Sequence, residues 1–253
     1  MADRLGVPMR TLVRTELLAL RTIRTPWLLV TGTVLVTAVT AVMQVVGGGE
    51  QGAPSIGTSG AMLAVLDVAG RGVYVALLLG VLAVTTEFRH DTATIAFLHM
   101  PRRVRLVAAK ALAVVLVGAV LAAVDLAVAL AVGLPTGAVP PPLLNGDIGL
   151  HVVGQALAYP LYALLGLAIG ALVIYQPLAV VLPLAWVLLV EDLVLHLLPD
   201  GALQWSLAGV TASLSYAADA IVLPMVVGGL AVLGYALLLL SLGAARVVRR
   251  DIT

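Results

Sequence analysis

Apolar residues in this chain do not alternate with polar ones; they come in long blocks separated by short polar stretches. Blocks of about 20 residues match what an α-helix needs to cross a hydrocarbon core of about 30 Å. The pattern predicts six spans, over 27–46, 62–86, 106–134, 150–174, 178–198 and 221–242. Pro26 stands in the first turn of the first span and Trp27 at interface depth. On the second, Asp67 and Arg71 are four apart and can pair near its outer end. The fourth carries Gly166 and Gly170, a small-xxx-small spacing that allows close helix packing. Between the fifth and sixth, 199–219 (PDGALQWSLAGVTASLSYAAD) is amphipathic and too mixed to span, which predicts one or two short helices at the outer surface. The fold class expected is an all-α polytopic membrane protein with a single transmembrane domain over 1–253.

Two polar stretches interrupt this pattern informatively. Residues 9–24, MRTLVRTELLALRTIR, can gather Leu12, Val13, Leu17, Leu20 and Ile23 on one face, with Arg10, Arg14, Arg21 and Arg24 elsewhere. That is the design of an interfacial helix, apolar face in the acyl boundary and arginines among the headgroups. Positive charge runs through to Arg24 and no small-residue cleavage site follows the first apolar run, so that run is expected to be a retained span and not a signal sequence. The second stretch, 85–110, is polar and basic and lies between two long spans. Asp91 or Thr92 can cap a short helix there that Pro101 stops after Met100.

Composition sharpens the class. Of 253 residues, 62% are hydrophobic and 11% charged, with mean hydropathy +1.14; a soluble domain has about 25% charged residues. The net charge of +1 hides an asymmetry, since every Arg and Lys except Arg71 falls in the N-terminal stretch, the central loop or the C-terminal tail. The outer loops carry Glu50, Asp147, Asp200 and Asp219. The positive-inside rule then places both termini and the loop 87–105 in the cytoplasm. Cysteine is absent, which excludes disulfides, thiolate metal sites and a cysteine nucleophile.

Candidate chemistry is sparse. No G-x-x-x-x-G-K-[ST] loop is present, so ATP hydrolysis by that route would belong to another polypeptide. Gly57-Thr58-Ser59-Gly60 superficially resembles the serine motif of rhomboid proteases, but none of the four histidines lies in the last span to serve as its base. His90/Asp91 and Glu191/Asp192/His196 are the clusters a metal could use, and membrane-interface polarity explains them more simply. Asp125 falls about 22 Å beyond Lys110 on a helix, well inside the bilayer. Such a carboxylate either lines a substrate path or is tied to a neighbouring helix. Glu191 marks an outer vestibule or lies at interface depth.

Several segments, in this order and spacing, resemble the membrane subunit of type-2 ABC exporters. They are Arg21-Thr22-Ile23-Arg24-Thr25-Pro26-Trp27, then Gly80-Val81-Leu82-Ala83-Val84-Thr85-Thr86-Glu87-Phe88-Arg89-His90-Asp91-Thr92, then Pro101-Arg102-Arg103 followed by Ala108-Ala109-Lys110. Leu165-Gly166-Leu167-Ala168-Ile169-Gly170, Glu191 and the closing Arg249-Arg250-Asp251-Ile252 continue the match, which covers nearly the whole chain. One departure is Ile174-Tyr175-Gln176-Pro177, where many members carry an arginine.

The resemblance implies a permease of the bacterial inner membrane, not itself an enzyme, with no cofactor of its own. Two such subunits, identical or paralogous, would form the path, and two ATP-binding subunits would carry ATP and Mg. It implies that 9–24 is the connecting helix, that 87–105 holds the coupling helix, and that 199–219 forms re-entrant helices. Ile95, Phe97, Leu98 and Met100 would supply apolar anchors in a groove of the ATPase, and Glu87, Arg89, Asp91, Thr92 and Arg102 would orient and cap the loop. Asp125 and Glu191 are the substrate-path candidates. Apolar walls favour an amphiphilic cargo such as a drug, an antibiotic peptide or a lipid. The competing expectation is a non-transporting membrane partner or sensor subunit of the same fold.

Overall fold

A computed structural model describes residues 8–47, 58–89, 103–134, 146–173, 175–190, 202, 204–215 and 223–249, all of them in helices or their connections. The expected coupling helix, with Asp91, Thr92, Ile95, Phe97, Leu98, Met100 and Arg102, lies outside the described residues, as do Glu191, both histidine-acid clusters and the side chain of Arg89.

Helix α1 (Met9–Thr22) ends at Ile23, whose extended backbone turns the chain into α2 (Arg24–Val46). Pro26 falls in the first turn of α2, where its missing N–H leaves no ladder bond unmade. The indole N–H of Trp27 donates to the Arg21 carbonyl at 2.9 Å, satisfying one of the free acceptors at the end of α1. Leu12 is buried, while Arg10, Arg14, Arg21 and Arg24 are exposed.

The second apolar block folds as α3 (Ser59–Gly70) and α4 (Val73–Arg89), which together make one span over Gly60–Phe88. At their junction the ladder tightens. The Arg71 N–H bonds Val68 O at 3.3 Å and the Gly72 N–H bonds Ala69 O at 2.9 Å, both i to i−3. This overwinding swings Arg71 off the helical face of Asp67, and both side chains are exposed without an ion pair between them. The expected Asp67–Arg71 pair is therefore not formed.

Helix α5 (Arg103–Gly133) and helix α6 (Gly146–Leu172) follow; Pro160 inside α6 leaves the Ala156 carbonyl without its ladder donor. Helix α7 (Gln176–Ala185) contains Pro183 and continues as a π-helical turn over Trp186–Val190. Helix α8 (Leu207–Leu214) has eight residues and is capped by Ser206, whose hydroxyl accepts from the Gly209 N–H at 3.0 Å. Helix α9 (Met225–Arg249) ends the described chain.

Five of these stretches are long and apolar enough to cross a membrane: Arg24–Val46, Gly60–Phe88, Arg105–Gly133, Ile148–Leu172 and Met225–Gly243. The protein is a multi-pass helical membrane protein. The fifth expected span, 178–198, is described as far as Val190, and α7 by itself is a shorter apolar helix of ten residues.

The centre of the bundle is the crossing of α4 and α6, flanked by α5 and α9, with α2 on the outside of α5. Lipid tails are as apolar as leucine, so helices associate in a membrane through close van der Waals packing rather than through exclusion of water. Glycine supplies that closeness here. A Cβ on Gly166 would run into the Leu77 carbonyl, and one on Gly80 into the Ala163 carbonyl, so the two backbones meet reciprocally. Tyr74 and Tyr162 meet edge to face nearby, with centroids 6.2 Å apart. The outward faces of α2 and α9 are apolar and uncovered, as at Leu28, Met43, Val46, Val226 and Leu230, which suits contact with lipid.

Candidate functional site

Two buried polar assemblies interrupt the apolar interior. The first is built around Asp125, the expected intramembrane carboxylate, which is fully buried. The Tyr159 hydroxyl of α6 donates to its Oδ2 at 2.9 Å, and the Thr37 hydroxyl of α2 approaches its Oδ1 at 3.5 Å. Tyr159 also touches the Ala69 carbonyl, on the last turn of α3. A Cβ on Gly72 would strike both Asp125 Oδ2 and the Tyr159 hydroxyl, so only glycine lets the α3–α4 junction approach this closely.

These contacts explain one another. Tightening the ladder at Arg71 and Gly72 weakens regular backbone pairing at membrane depth, where irregular backbone is tolerated only inside protein. Tyr159 and Asp125 enclose that irregularity, joining α2, the α3–α4 junction, α5 and α6 at one level of the bundle.

The second assembly is ionic. The Lys110 ammonium on α5 donates to Glu16 Oε2 of α1 at 2.6 Å and to Glu87 Oε1 of α4. Its side chain is 9% exposed, those of Glu16 and Glu87 12% and 29%. Glu87 sits near the end of the helix that precedes residues 90–102, and Lys110 near the start of the helix that follows them. A single cation thus holds those two helices and the N-terminal helix together. Glu87, expected to orient the loop on a partner, is engaged within its own chain.

A third group of contacts fixes α8. The Tyr162 hydroxyl donates to the Leu207 carbonyl at 3.1 Å and touches the Thr211 hydroxyl. The Tyr235 hydroxyl donates to the Trp205 carbonyl at 2.9 Å, and Gln155 Nε2 donates to the Ser215 hydroxyl at 3.0 Å. Gly154 and Gly228 let the backbones of α6 and α9 close on this helix, against Leu214 and Ser213. Near it, His151 Nε2 and Gln155 Oε1 are buried without a hydrogen-bond partner among the described residues.

Sequence reasoning named Asp125 and Glu87 but not their partners. Tyr159 and Thr37 sit unmarked within apolar runs, and their convergence on Asp125 needs the fold. Glu16 did leave a signal, as the sole acid in the otherwise basic stretch 9–24. In the Gly57-Thr58-Ser59-Gly60 motif, Thr58 caps α3, its hydroxyl accepting from the Ala61 N–H at 3.2 Å. Among the described residues no group of three His, Asp or Glu side chains could hold a metal. No protein-family model matches the chain, and no curated protein matches it.

Proposed function

We propose that this protein is the membrane subunit of an ABC exporter, working as a dimer with a separate ATP-binding subunit. The Lys110 node carries the reading. A loop that receives force from a soluble motor must pass it to the bundle through stems that move as one body. Lys110 meets that requirement by fastening the helix before the loop, the helix after it and α1 to one another.

Two further features support the same reading. The basic stretches at the N-terminus, in the loop 87–105 and at the C-terminus favour a six-span topology with those segments in the cytoplasm. Helix α8 packs along α6 down to Tyr162, about 24 Å from the start of α6 at Gly146. That depth supports a re-entrant helix between spans five and six. The apolar bundle favours an amphiphilic cargo, with Asp125 and Glu191 as the polar positions to examine along its path.

The test is co-purification of the tagged protein in mild detergent, followed by ATPase assay. The loop variant is Phe97→Asp with Arg102→Glu; Glu87 is left intact because Lys110 depends on it. An ATP-hydrolysing protein that accompanies the unsubstituted chain and is lost from the variant supports the proposal. If the variant retains the ATPase equally, the loop is not the coupling element. If an ATPase is held but amphiphiles neither stimulate it nor are moved in vesicles, the protein is a non-transporting partner instead.

A further inference from the structure

Between α1, α2, α4 and α5 lies a groove of about 330 Å³. Its wall is apolar throughout, with Leu17 and Leu20 from α1, Val30 from α2 and Leu116, Val120 and Val124 from α5. At its mouth stand Arg21 and Trp27, and among the described residues Arg21 is the only charged one that lines it. From Leu116 to Val124 the groove follows α5 for about 12 Å. It opens to the outside of the bundle, since Val120 is 63% and Trp27 54% exposed.

Among the described residues, the exposed charges of the stretch 9–24 are all positive. Arg10, Arg14, Arg21 and Arg24 are exposed, and the acid among them, Glu16, is turned inward onto Lys110. Both salt bridges among the described residues belong to Lys110, so Arg21 has no carboxylate partner there. The Trp27 indole N–H is already bound to the Arg21 carbonyl, which fixes the ring at the rim and leaves its face to an apolar occupant. An occupant that fits must carry an anion at one end and a hydrocarbon chain behind it.

We infer that this groove holds one acyl chain of an anionic phospholipid from the surrounding bilayer, with the lipid phosphate at Arg21. The site lies at the leaflet where α1 rests, and it is separate from the buried Asp125 cluster. A bound lipid would fill the space between α1 and the bundle and so stiffen the attachment that Lys110 begins.

Trp27 is the natural reporter. In a Trp186→Phe/Trp205→Phe background reconstituted into phosphatidylcholine vesicles, phosphatidylglycerol brominated on its acyl chains should quench Trp27 more efficiently than brominated phosphatidylcholine. Arg21→Gln should lower that preference about fivefold, the share of one arginine near an anionic headgroup. Arg14→Gln, which does not line the groove, should leave it nearly unchanged, and Val120→Phe should abolish it by filling the groove. Equal quenching by both lipids overturns the proposal, because it describes bulk lipid around the bundle. An Arg14→Gln effect as large as that of Arg21→Gln also overturns it, because it describes a basic surface without a site. Native mass spectrometry of the unsubstituted protein gives a second reading. Retained phosphatidylglycerol that Arg21→Gln loses supports the site, and equal retention of both lipids rejects it.

Discussion

At the scale of single residues, Lys110 is the position where one atom group constrains most. Its ammonium pairs with two carboxylates from different helices; Lys110 and Glu16 are largely withdrawn from the surface and Glu87 partly. Removing one partner of a buried ionic set costs more than the set contributes, because the remaining charges stay buried. Lys110→Met should therefore destabilise the protein by about 3 kcal/mol, the low end for a buried pair, since Glu87 keeps partial access to solvent. Adding Glu16→Gln should return about 1–2 kcal/mol by removing one of the stranded carboxylates. Denaturation in detergent followed by tryptophan fluorescence reads both values, and an additive double mutant would show that the contact carries no coupling. The Asp125 cluster has a different logic. Tyr159 lies between two acceptors, Asp125 and the Ala69 carbonyl, so its single hydroxyl ties the carboxylate to the α3–α4 junction rather than balancing charge.

At the scale of elements, the α4–α6 crossing depends on backbone contact more than on large side chains. Gly166 has no room for a Cβ beside Leu77, and the obstacle is backbone, which cannot rotate away. Gly166→Leu should separate the two helices and destabilise the bundle by at least about 3 kcal/mol, the upper part of the overpacking range. Gly234→Leu on α9, where a Cβ meets nothing within 4 Å, is the control and should change the same midpoint little. Loss of stability equal in both would assign the effect to lipid contact and not to the crossing. The small-xxx-small spacing at Gly166 and Gly170 was legible in the sequence, because it repeats on one helical face. Its reciprocal, Gly80 against Ala163, was not, since a lone glycine in an apolar run carries no periodic signal. The α3–α4 junction was similarly hidden. Gly70-Arg71-Gly72 interrupts an otherwise continuous hydrophobic block, yet block length alone reads through it as one straight helix. Five of the six expected spans, by contrast, lie within a few residues of long apolar helices, because hydrocarbon thickness sets their length directly.

At the scale of the whole molecule, the question with the largest consequence is the parity of the crossings. Among the described residues, five helices are each long enough to span. Through its ten residues α7 rises about 15 Å, half of a hydrocarbon core, and the π-helical turn to Val190 extends it further. With five crossings, the C-terminal Arg246, Arg249 and Arg250 would lie on the opposite side from Arg10, Arg14, Arg21 and Arg24. With six, all seven lie on one side, together with the arginines of the loop 87–105. Because Lys and Arg near the ends of spans resist translocation, the charge distribution favours the six-span reading we propose. The chain has no native cysteine, so single cysteines can report position without background. Thr11→Cys and Thr253→Cys should both resist a membrane-impermeant maleimide in intact cells and react after permeabilisation, while Gly52→Cys should react in intact cells. Labelling of residue 253 but not residue 11 in intact cells would establish an odd number of crossings. The C-terminal arginines would then lie outside, and a cytoplasmic ATPase could meet only the N-terminal half of the proposed surface.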